Sequence, residues 1–266
     1  MNGEYLTHVN MLIDTHCHLQ DFSKKKLKAI ISRARDKGIR KIIVAGYDKT
    51  SNIKAIELAT QYRCVYATVG YGPSTANDIK NLDWSLLEKM ISHKKVVAIG
   101  EIGLDYYWNK DNKPQQRKLF RRQISLAIKY NKPIVIHNRE ATQDVYNLIK
   151  EEGKMLLKGM MHCFNFDAKS ALSFIKLGML ISIGGLITFK NTTLISVIKE
   201  IPLEYIVLET DTPYLTPEPY RGEVNEPGYL FLIANEIAKT KGVSYEEVAR
   251  QTTRNASYLF DLEAEI

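Results

Sequence analysis

Residues 11–19 read MLIDTHCHL, an apolar run that ends in two histidines spaced i, i+2. Side chains alternate along a strand, so Asp14, His16 and His18 are expected on one face, where two imidazoles can grip one cation. The pattern recurs along the chain. Glu101 closes VVAIGE, His137 closes PIVIH, His162 follows GMM and Asp211 follows YIVLET. Six metal-ligand types thus stand at the ends of five apolar strands, which describes a metal site at the mouth of a barrel.

The rest of the chain supports that architecture. Apolar runs consistent with buried strands lie at 11–15, 41–45, 65–69, 96–100, 133–137, 159–163, 179–183 and 205–209. Helical patterns alternate with them at 24–37, 51–61, 83–93, 114–131, 140–151, 167–177, 191–200 and 228–240. Strict alternation with short connections predicts parallel strands, and eight strand–helix pairs close a (β/α)8 barrel. In a doubly wound open sheet, donors converge only at one switch point. Here they come from strands 1, 4, 5, 6 and 8, so only closure brings them together. A further helix at 244–260, with Ser244 and Glu247 as a capping box, follows the last pair. The expected organisation is one α/β domain, a single TIM barrel over 11–262 with an extra C-terminal helix. It is preceded by an extension at 1–10 that carries no pattern and is expected to be disordered.

With 45% hydrophobic and 25% charged residues, the composition is that of an ordinary globular domain. No stretch approaches the roughly 18 apolar residues of a membrane span, and the N-terminus lacks a signal peptide's apolar core. Cys17, Cys64 and Cys163 form no CxxC pair and leave one thiol over in any disulfide scheme, which suits a reducing, cytoplasmic setting. The net charge of +7 raises the local concentration of polyanions and makes nucleic acid a sensible partner class. KKKLK at 24–28 reads as a solvated helix face.

Each donor has a distinct use. Glu101 carries two oxygens and can bridge two cations, which a histidine cannot. His16, His18 and Asp211 suit one ion, and His137 with His162 a second. Asp211 can also receive a proton from an activated water. Mixed imidazole and carboxylate donors suit Zn²⁺, Mn²⁺ or Fe²⁺ better than Ca²⁺, and the expected cofactors are two divalent ions, Zn²⁺, Mn²⁺ or Mg²⁺. Two such ions, about 3.5–4 Å apart, stabilise both attacking and leaving oxygens in phosphodiester cleavage. Asp14, Asp105 and Glu209 are candidates to orient the imidazoles or, equally, to form structural ion pairs. Arg139 and Arg221, the latter in the loop TPEPYRGEVNEP, suit phosphate contact. Tyr106, Tyr107 and Trp108 could stack on bases or cover the following helix.

From about Met11 to Phe260 the chain resembles the TatD family of metal-dependent deoxyribonucleases. The matching motifs are DTHCHL at 14–19, GEIGLDYY at 100–107, PIVIHNR at 133–139, HCF at 162–164, ETDTPYLTPEPYRG at 209–222 and the Asn225-Glu-Pro turn. The resemblance implies a TIM barrel with two divalent ions. It assigns His16, His18, Glu101 and Asp211 to one, and Glu101, His137 and His162 to the other, with Glu101 and Asp211 serving catalysis. It also implies hydrolysis of DNA, often as a 3′→5′ exonuclease preferring single strands, with roles in repair or DNA breakdown. The expected partner is DNA, as a single strand or a 3′ end, with no membrane attachment; the sequence is compatible with a monomer and does not fix the oligomeric state. The chain departs from the family at Gly70-Tyr71-Gly72-Pro73, where Gly-x-His-Pro is usual. Two other classes compete with this one: a binuclear amidohydrolase cleaving a C–N or ester bond in a small molecule, and a weakly catalytic nucleic-acid-binding protein. Many binuclear amidohydrolases bridge their metals with a carboxylated lysine where this chain has Glu101, which favours the nuclease.

Overall fold

Strongly apolar, β-branched segments form the staves of a closed sheet in this computed structural model, which describes residues 11–108, 110–153 and 157–262. The strands are β1 (Leu12–Cys17), β2 (Ile39–Ala45), β3 (Val65–Val69), β4 (Val96–Asp105), β5 (Ile134–Arg139), β6 (Gly159–Met161), β7 (Met179–Ile183) and β8 (Ile206–Leu208). They pair in parallel and in sequence order. The helices between them are α1 (Lys24–Asp36), α2 (Lys49–Gln61), α3 (Trp84–Ile91), α4 (Lys113–Tyr130), α5 (Thr142–Gly153), α6 (Ala168–Lys176), α7 (Leu194–Glu200) and α8 (Leu230–Lys241). The C-terminal helix is α9 (Tyr245–Phe260). This is the expected (β/α)8 TIM barrel. The extension expected over 1–10 lies outside the described residues. No described helix is long and apolar enough to cross a membrane.

Two apolar layers hold the barrel. Outward-facing residues such as Leu12, Val44, Ile99 and Ile136 pack under the helices. A second cluster takes Ile13, Ile43, Val97, Val135, Met160 and Val207 from six strands and joins them to Ala256, Leu259 and Phe260 of α9. The C-terminal helix therefore plugs the end of the barrel opposite the strands' C-termini. Of the capping box expected there, the Ser244 half is present, its hydroxyl accepting the Glu247 N–H at 3.1 Å.

The seam between β8 and β1 closes through the backbone. Asp211 N–H donates to the His16 carbonyl at 3.0 Å and His18 N–H to that of Thr212 at 2.6 Å. Two local features differ from simple strand geometry. In the first, Asp14 pairs with Ile42 but Cys17 with Val44, so β1 carries one extra residue, a bulge that reverses side-chain parity. Asp14 consequently does not share the face of His16 and His18. Its carboxylate accepts the Thr210 N–H at 2.9 Å and the Thr210 hydroxyl at 2.5 Å, tying β1 to the loop after β8. In the second, β4 runs on to Asp105 rather than ending near Gly100. Gly103 permits this, with φ +142° and the place of its missing Cβ only 2.0 Å from the His137 carbonyl oxygen, an approach only glycine allows.

Candidate metal centre

The strand ends bring all six predicted donors together. His16 Nε2 and His18 Nε2 lie 3.3 Å apart. They face Glu101 Oε2 at 3.5 and 3.9 Å and Asp211 Oδ1 at 3.8 and 3.5 Å. The other Glu101 oxygen, Oε1, faces His137 Nδ1 at 2.7 Å and His162 Nε2 at 4.0 Å. Glu101 thus divides its two oxygens between two imidazole pairs. Asp211 Oδ1 also lies 3.9 Å from His162 Nε2. Asp211 holds a left-handed backbone, φ 55°, a conformation rare for residues other than glycine and found where function overrides local preference.

Three imidazoles are oriented from behind. His162 Nδ1 meets Glu209 Oε2 at 3.1 Å, and Glu209 also accepts the Ser182 hydroxyl at 2.6 Å and the Cys163 N–H at 2.7 Å. His137 Nε2 meets Asp105 Oδ2 at 3.0 Å, and His18 Nδ1 the Ala45 carbonyl at 3.1 Å. Glu209 and Asp105 thus stand behind two of the imidazoles, the placement expected of orienting or ion-pair partners, whereas Asp14 faces Thr210. The buried His16 Nδ1 has no hydrogen-bond partner among the described residues.

Burial raises the Glu101 carboxyl, but hydrogen bonds from His137 and His16 outweigh it and hold the group well below the carboxylate range. Asp211 is also lowered, its burial outweighed by the charge of His162 and the bond from His18. Burial disfavours charge on the imidazoles too, yet Asp105 and Glu101 push His137 up to about 9, and Glu209 and Asp211 push His162 up to about 10. Burial and the charge of His162 lower His16. In the metal-free chain, then, protons on imidazole supply the positive charge that the buried carboxylates require. That donor set, with its outward nitrogens fixed by carboxylates and a carbonyl, fits small divalent cations. His16, His18 and Glu101 form one group able to hold an ion, and Glu101, His137 and His162 another.

The residues expected to touch substrate divide. Arg139 is exposed, and its guanidinium lies 4.2 Å from the Tyr107 ring centroid and 5.5 Å from that of Trp108. Tyr107 and Trp108 are exposed. Tyr106 is not available for stacking on a base: it is buried and its hydroxyl donates to Asp144 at 2.6 Å, so it serves as cover. Arg221 stands over the Phe189 ring at 4.1 Å and lines a cavity of about 560 Å³ with Asn165 and Lys190. A larger cavity near Ile31, Arg40 and Tyr62 carries none of the six donors. Sequence reading missed Tyr47 and Tyr214, whose rings flank His18 at 5.6 and 6.1 Å. Their only signal was position: each follows a strand or donor motif, in AGY and DTPY.

Comparison with known proteins agrees with this geometry. Residues 13–261 match the model of the TatD related DNase family. The metal-dependent hydrolase YabD of Bacillus subtilis is 43% identical over 252 residues, covering 94% of this chain and 99% of YabD. The metal-dependent hydrolase YcfH of Escherichia coli is 32% identical, covering 95% of this chain and 97% of YcfH. Among solved structures, the TatD homologue YjjV of E. coli superposes with a TM-score of 0.86 at 27% identity, covering 96% of this chain and all (100%) of that one. The chain belongs to the TatD family of metal-dependent hydrolases.

Proposed function

We propose that the protein is a metal-dependent deoxyribonuclease that hydrolyses phosphodiester bonds of single-stranded DNA, removing nucleotides from the 3′ end. The observation that carries this reading is the division of the two Glu101 oxygens between His16/His18 and His137/His162. One carboxylate shared by two imidazole pairs suits two divalent ions, Zn²⁺, Mn²⁺ or Mg²⁺. When bound, such ions activate water and offset the charge that develops on phosphoryl oxygens.

The protein's own residues supply the rest. Asp211, held ionised within its ring of imidazoles, would take the proton from the attacking water, which adds to phosphorus in line with the leaving 3′ oxygen; as that P–O bond breaks, the oxygen takes up a proton from solvent and departs as a 3′-hydroxyl. Asp105 and Glu209 fix the rings of His137 and His162. Arg139 and Arg221, steadied on Tyr107 and Phe189, offer planar donors to backbone phosphates. This cationic rim separates the reading from a small-molecule amidohydrolase on the same barrel. Three cysteines with no CxxC spacing accord with a reducing, cytoplasmic setting.

The test is cleavage of a 5′-labelled single-stranded oligonucleotide by metal-loaded protein, with a chelator-treated control. A ladder shortening from the 3′ end and abolished by chelator is expected. Intact oligonucleotide in the presence of bound metal would overturn the reading.

A further inference from the structure

We infer that the cavity over Gly72 holds the 3′-terminal nucleoside of the substrate and that Tyr47, Trp108 and Tyr214 grip its base; this rests on the nuclease reading above. A cavity of about 470 Å³ opens beside the metal cluster, with His18, Glu101 and His137 among its lining residues. That volume lies within the roughly 300–1,000 Å³ of pockets that enclose a small ligand. Its walls include Tyr47, Gly72, Pro73, Trp108 and Tyr214.

Beyond the metal donors the wall is largely aromatic. Trp108 and Tyr214 are 69% and 55% exposed, large apolar surfaces left open at the edge of a polar cluster. Tyr47 and Tyr214 meet the His18 ring edge-on. None of the described lining residues is Lys or Arg, and Asp21 stands among them, accepting the Tyr214 hydroxyl at 3.3 Å. A carboxylate at this rim disfavours a phosphate, whereas aromatic faces favour a base. Arg139 borders the cavity, its guanidinium 5.5 Å from the Trp108 ring centroid, whereas Arg221 lines a separate one. On this reading the phosphate of the terminal nucleotide meets the metal cluster and Arg139, and its base enters the aromatic cavity.

Gly72 gives this cavity its depth. Its backbone, φ −69° and ψ 168°, is one any residue adopts, so the turn does not demand glycine. A Cβ there would meet Tyr47 at ordinary contact, 3.4 Å. Absence of a side chain at position 72 therefore leaves room beside Tyr47 rather than relieving strain. Tyr47 is itself held in place, its carbonyl accepting the Gly72 N–H at 2.7 Å and its N–H donating to the Ser51 hydroxyl at 2.9 Å.

The experiment compares kcat/KM of the metal-loaded enzyme on two 5′-labelled single-stranded oligonucleotides, one ending in an ordinary 3′ nucleotide and one in a 3′ abasic tetrahydrofuran nucleotide. Stacking on one aromatic ring is worth roughly a 5- to 150-fold preference, so the base-bearing end should be favoured at least about fivefold. In Gly72→Phe, which fills the cavity, and in Trp108→Ala, whose exposed side chain cannot unfold the barrel, that ratio should fall toward one, mainly through KM. Equal cleavage of both oligonucleotides by the unmodified enzyme, or a ratio unchanged in Trp108→Ala, overturns the pocket and leaves the nuclease reading standing. Cleavage of neither despite bound metal removes both.

Discussion

At the scale of single residues, the carboxylates behind the imidazoles are as informative as the donors in front. Glu209 accepts from Ser182 and Cys163 and meets His162 Nδ1 while fully buried. Glu209→Gln keeps the shape but weakens this hold on the ring, and should cost about 10–100-fold in metal affinity or activity; metal retained after dialysis is the readout. Titration gives a second prediction. His137 and His162, at about 9 and about 10, are charged in the metal-free chain at pH 7, and each must release a proton to become a ligand. Because Asp211 also raises the His18 imidazole against the effect of burial, calorimetric loading in buffers of different ionisation enthalpy should show at least about two protons released at pH 7, with affinity weakening as pH falls. In the metal-free chain the sign is opposite for stability. Both imidazole values are raised, so their contribution is full below about 6.5 and is lost as pH rises through about 9 to 10. The melting temperature of metal-free protein should fall over that window.

The six donors were legible in the sequence because a carboxylate or imidazole closing an apolar strand is costly to bury unless it is paired or metal-bound. The partners of those donors were less so. Alternation places Asp14 beside His16, but a single extra residue in β1 reverses it, and no sequence pattern marks that bulge. Tyr106, Tyr107 and Trp108 look alike as an aromatic triplet. Only the chain's turn after Asp105 decides that Tyr106 goes inward to Asp144 while its neighbours face solvent.

At the scale of elements, the helices fall within a few residues of where periodicity places them, since caps such as Ser244 and stops such as Gly242 (φ 67°) act locally. Strand lengths were harder to foresee. β6 and β8 have three residues each and β4 has ten, because a strand's end is set by its neighbours' register. Gly103 is a clear case: Gly103→Ala forces a Cβ against the His137 carbonyl and should separate β4 from β5. Loss of bound metal together with a lower melting temperature is expected; a metal content equal to that of the unmodified protein would show that β5 yields without consequence. The other end of the barrel depends on α9. Phe260 is 2% exposed within the interior cluster, and Phe260→Ala should cost about 3–5 kcal/mol in urea unfolding, without contact to the metal centre.

For the whole molecule, closure and charge decide what the site can do. Eight strands were countable in the sequence, and the spread of donors over five of them made an open sheet untenable. The seam itself, joined by Asp211 N–H to the His16 carbonyl and His18 N–H to the Thr212 carbonyl, also carries three of the donors, so closing the barrel and assembling the site are one event. On the proposed nuclease reading, the basic balance of +7 should give binding of single-stranded DNA a strong ionic component. Its log–log salt dependence should have a negative slope, reduced by about 0.7 in Arg221→Ala, as read from kcat/KM across a salt series.

The sharing of Glu101 between two ions is tested most directly by adding Mn²⁺ stepwise to metal-free protein and following oligonucleotide cleavage against ions bound per chain. Cleavage should stay near background through the first equivalent, appear with the second, and be absent throughout in Glu101→Ala. Full activity at one bound ion, or an active Glu101→Ala protein, would contradict a centre built on one carboxylate with an ion at each oxygen.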